Sequence, residues 1–417
     1  MINFLKHLLS LKICIAIIGM ACIGLYTHSV SAQYFNLEPG LKKNSVYFKS
    51  IKNLIIVPLM INQKGPYNFL LDTGVGHMVI LDTTLLNNER LNQLKEVEVR
   101  GYGEGDVITG YISTNISASI GKATMNKIPT VILKEDIFNL SPYLGISIHG
   151  ILGNYFFDSF TVKINYPNNK LTFINPRYFK GSSWEKIPIT MIDQKPYIQA
   201  AVSIANQKTL NAKLLVDCGA SHALSMESLN QSPYPIPEPN FEANLGVGLN
   251  GLINGKIGRV EQLQLGKIKI NDVLTSFPNF EDIGAKTSKS NRNGNLGANI
   301  LNKFHVIYDY PNSAMYLKKN SNFITPTEHD MSGLEVIVEH DDYLRFFVNR
   351  VESNSPAQKA GILPGDEILS INFKHIGEYS LEEIVSLLKS ENGRTVIFEL
   401  HRNNRIFAKL LSLKKRI

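Results

Sequence analysis

Apolar runs that partly alternate with polar residues predict a chain built mainly of β-strands. Two of these runs, residues 53–61 and 195–204, are rich in apolar and β-branched residues, as strands with a buried face are. Near the C-terminus, apolar residues fall instead at helical spacing on one face: Leu381, Ile384, Val385 and Leu388. The pattern therefore predicts a mainly β fold with a helix in its last part.

The apolar pattern also occurs twice along the chain. The segment FLLDTGVGH at residues 69–77 recurs as LLVDCGASH at residues 214–222, and each copy contains an Asp-X-Gly triplet. The offset between the two aspartates also maps four glycines onto four others: Gly101, Gly103, Gly110 and Gly121 onto Gly246, Gly248, Gly255 and Gly266. Further on, the offset shifts by one residue and Tyr-Pro-Asn at 166–168 matches 310–312. A nearly constant register over separate blocks predicts two copies of one β-rich unit.

Each copy places its aspartate in a tight turn between buried strands. Apolar residues flank the first motif on both sides, with Leu70 and Leu71 before it and residues 78–81 after it. A glycine two residues after the aspartate lets the backbone fold close to the carboxylate, because glycine has no Cβ. The glycine-rich stretches 101–110 and 246–255 predict hairpins that could act as mobile flaps.

These motifs resemble the retropepsin-like aspartic proteases, with two copies fused in one chain as in pepsin-like enzymes. The first matching element is the pair of triplets, Asp72-Thr73-Gly74 and Asp217-Cys218-Gly219. The second is a later hydrophobic-hydrophobic-Gly element, present at residues 151–153 and, in a weaker form, at residues 295–297. The resemblance covers residues 53–317. It implies two homologous β-lobes around a central cleft, lobe 1 over residues 33–182 and lobe 2 over residues 183–320.

The resemblance also implies an endopeptidase in which Asp72 and Asp217 form the catalytic dyad. Two carboxylates a few ångströms apart cannot both ionise at low cost, so they share a proton. The charged carboxylate acts as general base on a water molecule, and the protonated one donates toward the scissile carbonyl. This chemistry requires no metal and no organic cofactor. The alternative is that both aspartates are structural turn residues, which are common before glycine.

Residues around the dyad support it or depart from the family pattern. In the family, the Thr or Ser after each aspartate braces the opposing loop; Thr73 can do so, but Cys218 has only a weak S–H donor. Losing one such hydrogen bond costs about 1 kcal/mol. Gly74 and Gly219 complete the supporting set. The departure at Cys218 leaves open a second interpretation, a catalytically inactive two-lobed protein that binds peptides.

The flaps supply candidate substrate-binding residues. Tyr102 is aromatic where pepsin-like enzymes carry a flap tyrosine, and Gly103 and Gly248 occupy the two predicted hairpins. The motif at residues 246–251 also matches a dinucleotide-binding pattern, but no helix signal follows it, so a flap is the better interpretation. The two histidines at equivalent positions, His77 and His222, belong to the shared fold in this interpretation.

A second resemblance begins after a polar linker at residues 321–332. Residues 355–357, 360–361 and 363–372 resemble the core signature of PDZ domains, which implies a small α+β module over residues 333–417. In PDZ domains a helix and a neighbouring strand, here assigned to residues 343–351, form a groove for an extended peptide. The implied partner is a peptide or protein. Two alternatives stay open: the module only packs against the rest of the chain and binds no peptide, or the whole protein is an adaptor that acts mainly through this module.

The first 32 residues predict an export signal. Lys6 and Lys12 supply a positive start, residues 13–26 are apolar but short for a membrane span, and residues 30–32 are small enough for cleavage. We therefore expect an extracytoplasmic protein, periplasmic or secreted. An uncleaved signal would instead anchor the chain in a membrane.

Composition narrows the function classes further. Of the 417 residues, 44% are hydrophobic and 19% are charged, which excludes wholesale disorder. The net charge of +7 forms no basic stripe with aromatic residues, which argues against nucleic-acid binding. Two of the three cysteines, Cys14 and Cys22, lie in the predicted signal. The remaining Cys218 can form no intramolecular disulfide and no cysteine-based zinc site.

Overall fold

The structure, a computed structural model, describes residues 34–86, 94–99, 108–134, 139–204, 209–248, 251–284, 287, 291–340 and 344–417. The predicted export signal and the stretch that contains Tyr102 and Gly103 lie outside these ranges. In the described part of the chain, no helix is long and apolar enough to cross a membrane.

The first β-lobe is a twisted sheet in the strand order β1-β9-β6-β10-β5-β4-β8-β7, with β3 on β4. The strands of this half are β1 (Asn36–Leu37), β2 (Lys43–Tyr47), β3 (Lys49–Ile51), β4 (Leu54–Ile61), β5 (Lys64–Leu71), β6 (Met78–Ile80), β7 (Lys95–Val99), β8 (Ile108–Ile120), β9 (Ala123–Leu133), β10 (Gly150–Leu152), β11 (Thr161–Asn165) and β12 (Lys170–Ile174). Two-residue turns with positive φ join β3 to β4 at Lys52 and Asn53, and β4 to β5 at Asn62 and Gln63. These φ values suit the tight turns that match the twist of paired strands. Helices Leu140–Leu144 and Asn154–Ser159 flank β10.

The second β-lobe has a matching order, β14-β15-β16-β21-β17-β20-β19-β18, and β15 pairs with β19 as β4 pairs with β8. Its strands, with those of the shared sheet, are β13 (Glu185–Pro188), β14 (Thr190–Ile192), β15 (Lys195–Ser203), β16 (Leu210–Val216), β17 (Leu224–Met226), β18 (Phe241–Gly248), β19 (Gly251–Leu265), β20 (Ile268–Pro278), β21 (Gly294–Leu296), β22 (Phe304–Asp309) and β23 (Ala314–Lys319). The short helix Ala298–Leu301 follows β21, as Asn154–Ser159 follows β10. The strands predicted at residues 53–61 and 195–204 are confirmed as β4 and β15.

A shared antiparallel sheet joins the two lobes in the order β13-β23-β22-β11-β12-β2. Strand β11 of the first half pairs with β22 of the second, with Val162 opposite Tyr308. One face of this sheet carries a continuous apolar core that extends into both lobes. At the junction the ring of Phe157 lies 5.3 Å from that of Tyr308, in an edge-to-face arrangement. The core therefore fixes the position of one lobe against the other.

The C-terminal module is a small sheet with two helices and its own core. Its strands are β24 (Leu334–His340), β25 (Leu344–Val351), β26 (Glu367–Ile371), β27 (Lys374–His375), β28 (Thr395–Arg402) and β29 (Arg405–Ser412), in the order β24-β25-β26-β28-β29 with β27 on β26. Helix Pro356–Ala360 precedes β26, and the predicted amphipathic helix is present as Leu381–Leu388, with a Ser380–Glu383 capping box. The overall fold is mainly β with a small α+β module, as the resemblance implied.

The structure corrects the strand assigned to the peptide groove. Residues 343–351 were expected to border it, but β25 pairs with β24 on one side and β26 on the other. A strand with both edges paired has no free N–H and C=O row for an added peptide. The edge strand beside helix Leu381–Leu388 is β24, which begins just after Gly333.

The polar stretch at residues 321–332, expected to be a linker, packs on the second lobe. It begins with the 3-10 helix Ser321–Ile324. The side chain of Thr327 accepts a hydrogen bond from the backbone of Leu274 at 3.2 Å, and Glu328 pairs with Arg259 at 2.8 Å. These contacts give the stretch a defined path from the shared sheet to β24.

Candidate active site

The two Asp-X-Gly triplets emerge at equivalent points of the two lobes. Strand β10 runs parallel to β5 and aligns Leu152 with Leu71, and the backbone N–H of Asp72 donates to the Leu152 carbonyl at 3.0 Å. In the second lobe β21 runs parallel to β16, and the N–H of Asp217 donates to the Leu296 carbonyl at 3.0 Å. Each carboxylate is therefore held at the end of a buried strand by the hydrophobic-hydrophobic-Gly element predicted from the sequence.

The two carboxyl groups lie close together, on either side of Gly74 and Gly219. The N–H of Gly74 donates to Asp72 Oδ1 at 2.6 Å, and the N–H of Gly219 donates to Asp217 Oδ1 at 3.0 Å. A Cβ at Gly219 would overlap the Asp72 carboxyl group, and one at Gly74 would lie 3.1 Å from Asp217 Oδ2. The absence of a side chain at both glycines is therefore what allows the carboxyl groups to approach each other.

The surroundings of Asp72 favour its protonated form. Its side chain is buried, and burial, followed by repulsion from Asp217, raises the pKa of Asp72 well above its ordinary value. Lys195, the first residue of β15, places a positive charge near both carboxylates. Burial lowers the pKa of Lys195, as does the nearby charge of Arg292. The pair can therefore hold one proton.

The residues after the aspartates tie the two loops together. Thr73 Oγ1 donates to the Val216 carbonyl at 2.8 Å and accepts the N–H of Cys218 at 3.0 Å. In return, Cys218 Sγ donates to the Leu71 carbonyl at 3.3 Å. The thiol is fully buried, and burial raises the pKa of Cys218, so it stays neutral. The cysteine thus occupies the position of a bracing hydroxyl with a weaker donor.

We expect Cys218→Thr to preserve or raise activity. A hydroxyl donates more strongly than a thiol to the Leu71 carbonyl, and the net gain of one such bond is about 1 kcal/mol. The check is kcat/KM together with the urea midpoint of unfolding, with Cys218→Ser as the matched control. Alkylation of the folded wild-type protein should be slow. Inactive but folded Cys218→Thr, with rapid alkylation of wild type, would instead indicate a reactive thiol.

Asn295 is a site residue whose role the sequence did not reveal. It occupies the first position of the second hydrophobic-hydrophobic-Gly element, where the first lobe has Ile151, so in sequence this element matches the family pattern only weakly. In the structure its side-chain amide donates to Asp217 Oδ2 at 2.7 Å, and the residue is 7% exposed. Asp217 therefore accepts hydrogen bonds at both carboxylate oxygens. The sequence signal for this role was a polar residue at a position where the first lobe has an apolar one.

Replacing Asn295 should change how the dyad responds to pH. Hydrogen bonds to a carboxylate favour its charged form. Asn295→Leu, which restores the pattern of the first lobe, removes this donor, and the acidic limb of the kcat/KM profile should move toward higher pH. The control is Asn293→Leu, two residues earlier on the same segment. An unchanged profile in a folded Asn295→Leu variant would show that the amide does not act on the dyad.

The remaining predicted site residues have no described contact with the aspartates or lie outside the described residues, and the two histidines differ in their surroundings. Gly248 ends β18 opposite Gly251 of β19, on the second hairpin, and its described contacts do not join it to the aspartates. Tyr102 and Gly103 fall outside the described residues. His222 lies beside the segment that carries Asn295, and burial lowers its pKa, whereas His77 packs edge-to-face on Tyr155 at 6.0 Å.

Side chains of the two lobes also approach each other near Asp217. Tyr143, from helix Leu140–Leu144 of the first lobe, lies near Ser221, which follows Asp217 by four residues in the second lobe. Burial raises the pKa of Tyr143, so its hydroxyl stays protonated. The first lobe therefore meets the second lobe close to the segment that carries Asp217.

Comparisons with known proteins support both resemblances. Residues 57–156 match a family model described as aspartyl protease, and residues 347–402 match a model of the PDZ domain. The carboxy-terminal processing protease CtpA of Bacillus subtilis (strain 168) is 36% identical over 70 residues, 17% of this chain and 15% of that protein. The chain therefore matches only a small part of that relative's length.

A solved structure, the aspartic proteinase from Irpex lacteus, aligns with a TM-score of 0.40 and 11% identity, over 68% of this chain and 99% of that one. The two family matches fall on the lobe that carries Asp72 and on the C-terminal sheet. The chain therefore combines an aspartyl protease domain, matched over residues 57–156, with a C-terminal PDZ domain, matched over residues 347–402.

Proposed function

We propose that the protein is an exported aspartic-type endopeptidase in which Asp72 and Asp217 activate water to hydrolyse peptide bonds. The observation that carries the proposal is the close approach of these two carboxyl groups, each of which is also held by a glycine N–H. The reciprocal bonds of Thr73 and Cys218 support it, because they fix the two loops against each other.

The hydrogen-bond pattern assigns different roles to the two carboxyl groups. Asp217 accepts from Gly219 and from Asn295, so it is the charged general base. Asp72, with its raised pKa, carries the shared proton. Asp217 takes a proton from water as its oxygen bonds to the scissile carbonyl carbon, and Asp72 gives its proton to the carbonyl oxygen. Collapse of the tetrahedral intermediate breaks the C–N bond: Asp217 returns its proton to the leaving amine, and Asp72 recovers its own.

The wider organisation is proposed on the same basis. The matching strand orders support two homologous lobes over residues 33–182 and 183–320, and the separate core of the C-terminal module supports a boundary near residue 333. Export through a signal over residues 1–32 places the enzyme outside the cytoplasm. The PDZ domain recruits a peptide or a partner protein to it.

A second candidate function is a catalytically inactive, two-lobed peptide-binding protein. The observation that favours it is Cys218, which braces the dyad through a 3.3 Å thiol bond where a hydroxyl would bind more strongly. The two functions are separated by incubating the full mature chain with a peptide library from pH 3 to pH 8 and identifying new termini by mass spectrometry. Cleavage supports the peptidase. Peptide binding without cleavage at any pH would support the inactive protein.

A further inference from the structure

The peptide groove of the PDZ domain is covered by the first lobe of the same chain. The groove lies between the edge strand β24 and helix Leu381–Leu388. Helix Leu140–Leu144 packs on β24, and Gly145 follows it. A Cβ at Gly145 would lie 3.2 Å from Val338 Cγ2 on β24 and 3.4 Å from Leu381 Cδ2 on the helix. Gly145 therefore sits between the two walls of the groove.

Polar contacts reinforce this position. The backbone N–H of Lys52 donates to Glu382 Oε2 of the PDZ helix at 3.0 Å. The ammonium group of Lys52 lies 3.6 Å above the ring of Tyr143 and near the charge of Glu335 on β24. Burial lowers the pKa of Lys52 to about 8. We call this set of contacts, from Lys52, Tyr143 and Gly145 to the PDZ domain, the latch.

The N–H groups at the start of β24 are also satisfied within the chain. Those of Ser332 and Gly333 donate to Asp330 Oδ1 at 2.9 Å and 2.5 Å, and that of Leu334 donates to Ser332 Oγ at 3.0 Å. The Asp330 carboxylate thus accepts hydrogen bonds that these N–H groups could otherwise donate to the carboxylate of a peptide ligand. The first lobe covers the space between β24 and helix Leu381–Leu388, and Asp330 occupies the N–H groups just before β24.

The latch is connected to the catalytic cleft at two points. Tyr143 lies near Ser221 of the second lobe, four residues after Asp217. On the other side, Arg350 of β25 donates to Asn244 Oδ1 at 2.7 Å, and Asn244 belongs to β18 of the second flap hairpin. In the proposed peptidase, an extended substrate would lie over the dyad between the two lobes. Contacts that hold the lobes and this hairpin in place would restrict its entry.

We propose that the PDZ domain, docked on the first lobe through its own peptide groove, is an autoinhibitory latch that keeps the substrate cleft closed. The proposal rests on the peptidase function for its catalytic consequence, but the latch itself is a physical contact that can be tested without activity. Opening it requires Gly145 to leave Val338 and Leu381, which releases the segment that carries Tyr143.

The test reverses one charge in the full mature chain. Lys52→Glu places a carboxylate beside Glu335 and Glu382, so repulsion should open the latch, and Lys64→Glu makes the same charge change in the β4–β5 hairpin as a matched control. Hydrogen–deuterium exchange should then rise in residues 139–146 and 334–340 of Lys52→Glu alone. Where a cleavable peptide is available, kcat/KM should rise at least about fivefold, mainly through a lower KM, in the range of typical coupling between sites.

A second variant tests the approach of Tyr143 to the second lobe without a charge change. Tyr143→Phe keeps the ring under Lys52 but loses the hydroxyl near Ser221, so it should raise kcat/KM in the same direction with less added exchange. Unchanged exchange in folded Lys52→Glu would overturn the latch whether or not the protein is a peptidase. Increased exchange with unchanged or lower kcat/KM would overturn its inhibitory role. Absence of hydrolysis in every variant, with increased exchange, would contradict the peptidase function and leave the docking contact supported.

Discussion

Asp72→Asn and Asp217→Asn are each expected to lower kcat by roughly 10²–10⁴-fold, the usual contribution of a general acid or base. Asparagine keeps the size of the side chain and the hydrogen bond from the glycine N–H, but it can neither take the proton from water nor supply one to the carbonyl. The measurement is steady-state hydrolysis of one peptide by wild type and both variants. The control is Asp82→Asn, which changes the half-buried N-cap of the 3-10 helix Thr83–Leu85. Near-wild-type turnover in either dyad variant would exclude the shared-proton mechanism.

Asp72→Asn should also change how the free energy of unfolding depends on pH. Burial and Asp217 raise the pKa of Asp72 from its ordinary value of 3.8, so the folded state binds this proton more tightly than the unfolded chain does. Wild type therefore loses stability as pH rises from about 3.8 through the raised pKa of the folded state. Asp72→Asn lacks this loss, so its free energy of unfolding should exceed that of wild type near neutral pH. Equal pH dependence in urea titrations would contradict the burial of a shared proton.

The largest expected effect on stability comes from breaking the buried ion pair of Glu227 and Arg292. Both side chains are 2% exposed, and two hydrogen bonds of 2.8 Å join the guanidinium to the carboxylate. Glu227→Leu leaves the guanidinium charge buried without this partner, which should cost about 3–5 kcal/mol of unfolding free energy. Urea denaturation of the single variant against wild type measures the loss.

The double variant Glu227→Leu/Arg292→Met is the control for this pair. Removing both charges avoids the uncompensated ion, so most of the stability should return. The pair also matters for the site, because the N–H of Glu227 donates to the Asn293 carbonyl at 2.7 Å, two residues before Asn295. A single variant that loses less than about 1 kcal/mol would show that the pair is not a structural anchor.

Local features of the fold could be predicted because they depend on neighbouring residues. Alternation and β-branching predicted β4 and β15, and helical spacing predicted Leu381–Leu388. The glycine after each aspartate predicted a close approach of the backbone, which the structure shows at Gly74 and Gly219. These are short-range patterns, and a single chain segment carries each of them.

The duplicated motifs predicted the approach of Asp72 to Asp217, but other long-range pairings had no such signal. The strand beside the PDZ helix was assigned to residues 343–351, because the sequence does not show which strand lies at the edge of a sheet. Asn295 acts on Asp217 from 78 residues away, and Lys52 meets Glu382 across 330 residues. Only the three-dimensional structure brings these partners together, so periodicity and motif spacing contain no sign of the latch.

The pH dependence of kcat/KM for one cleavable peptide, measured on the full mature chain, tests the central claim most directly. Two carboxyl groups that share one proton are active only while one is charged and the other protonated. The account therefore predicts a bell-shaped profile, with activity falling at low pH when both are protonated and at high pH when both are charged. A rate that climbs to a plateau above neutral pH, as a thiol or imidazole nucleophile would give, would contradict it.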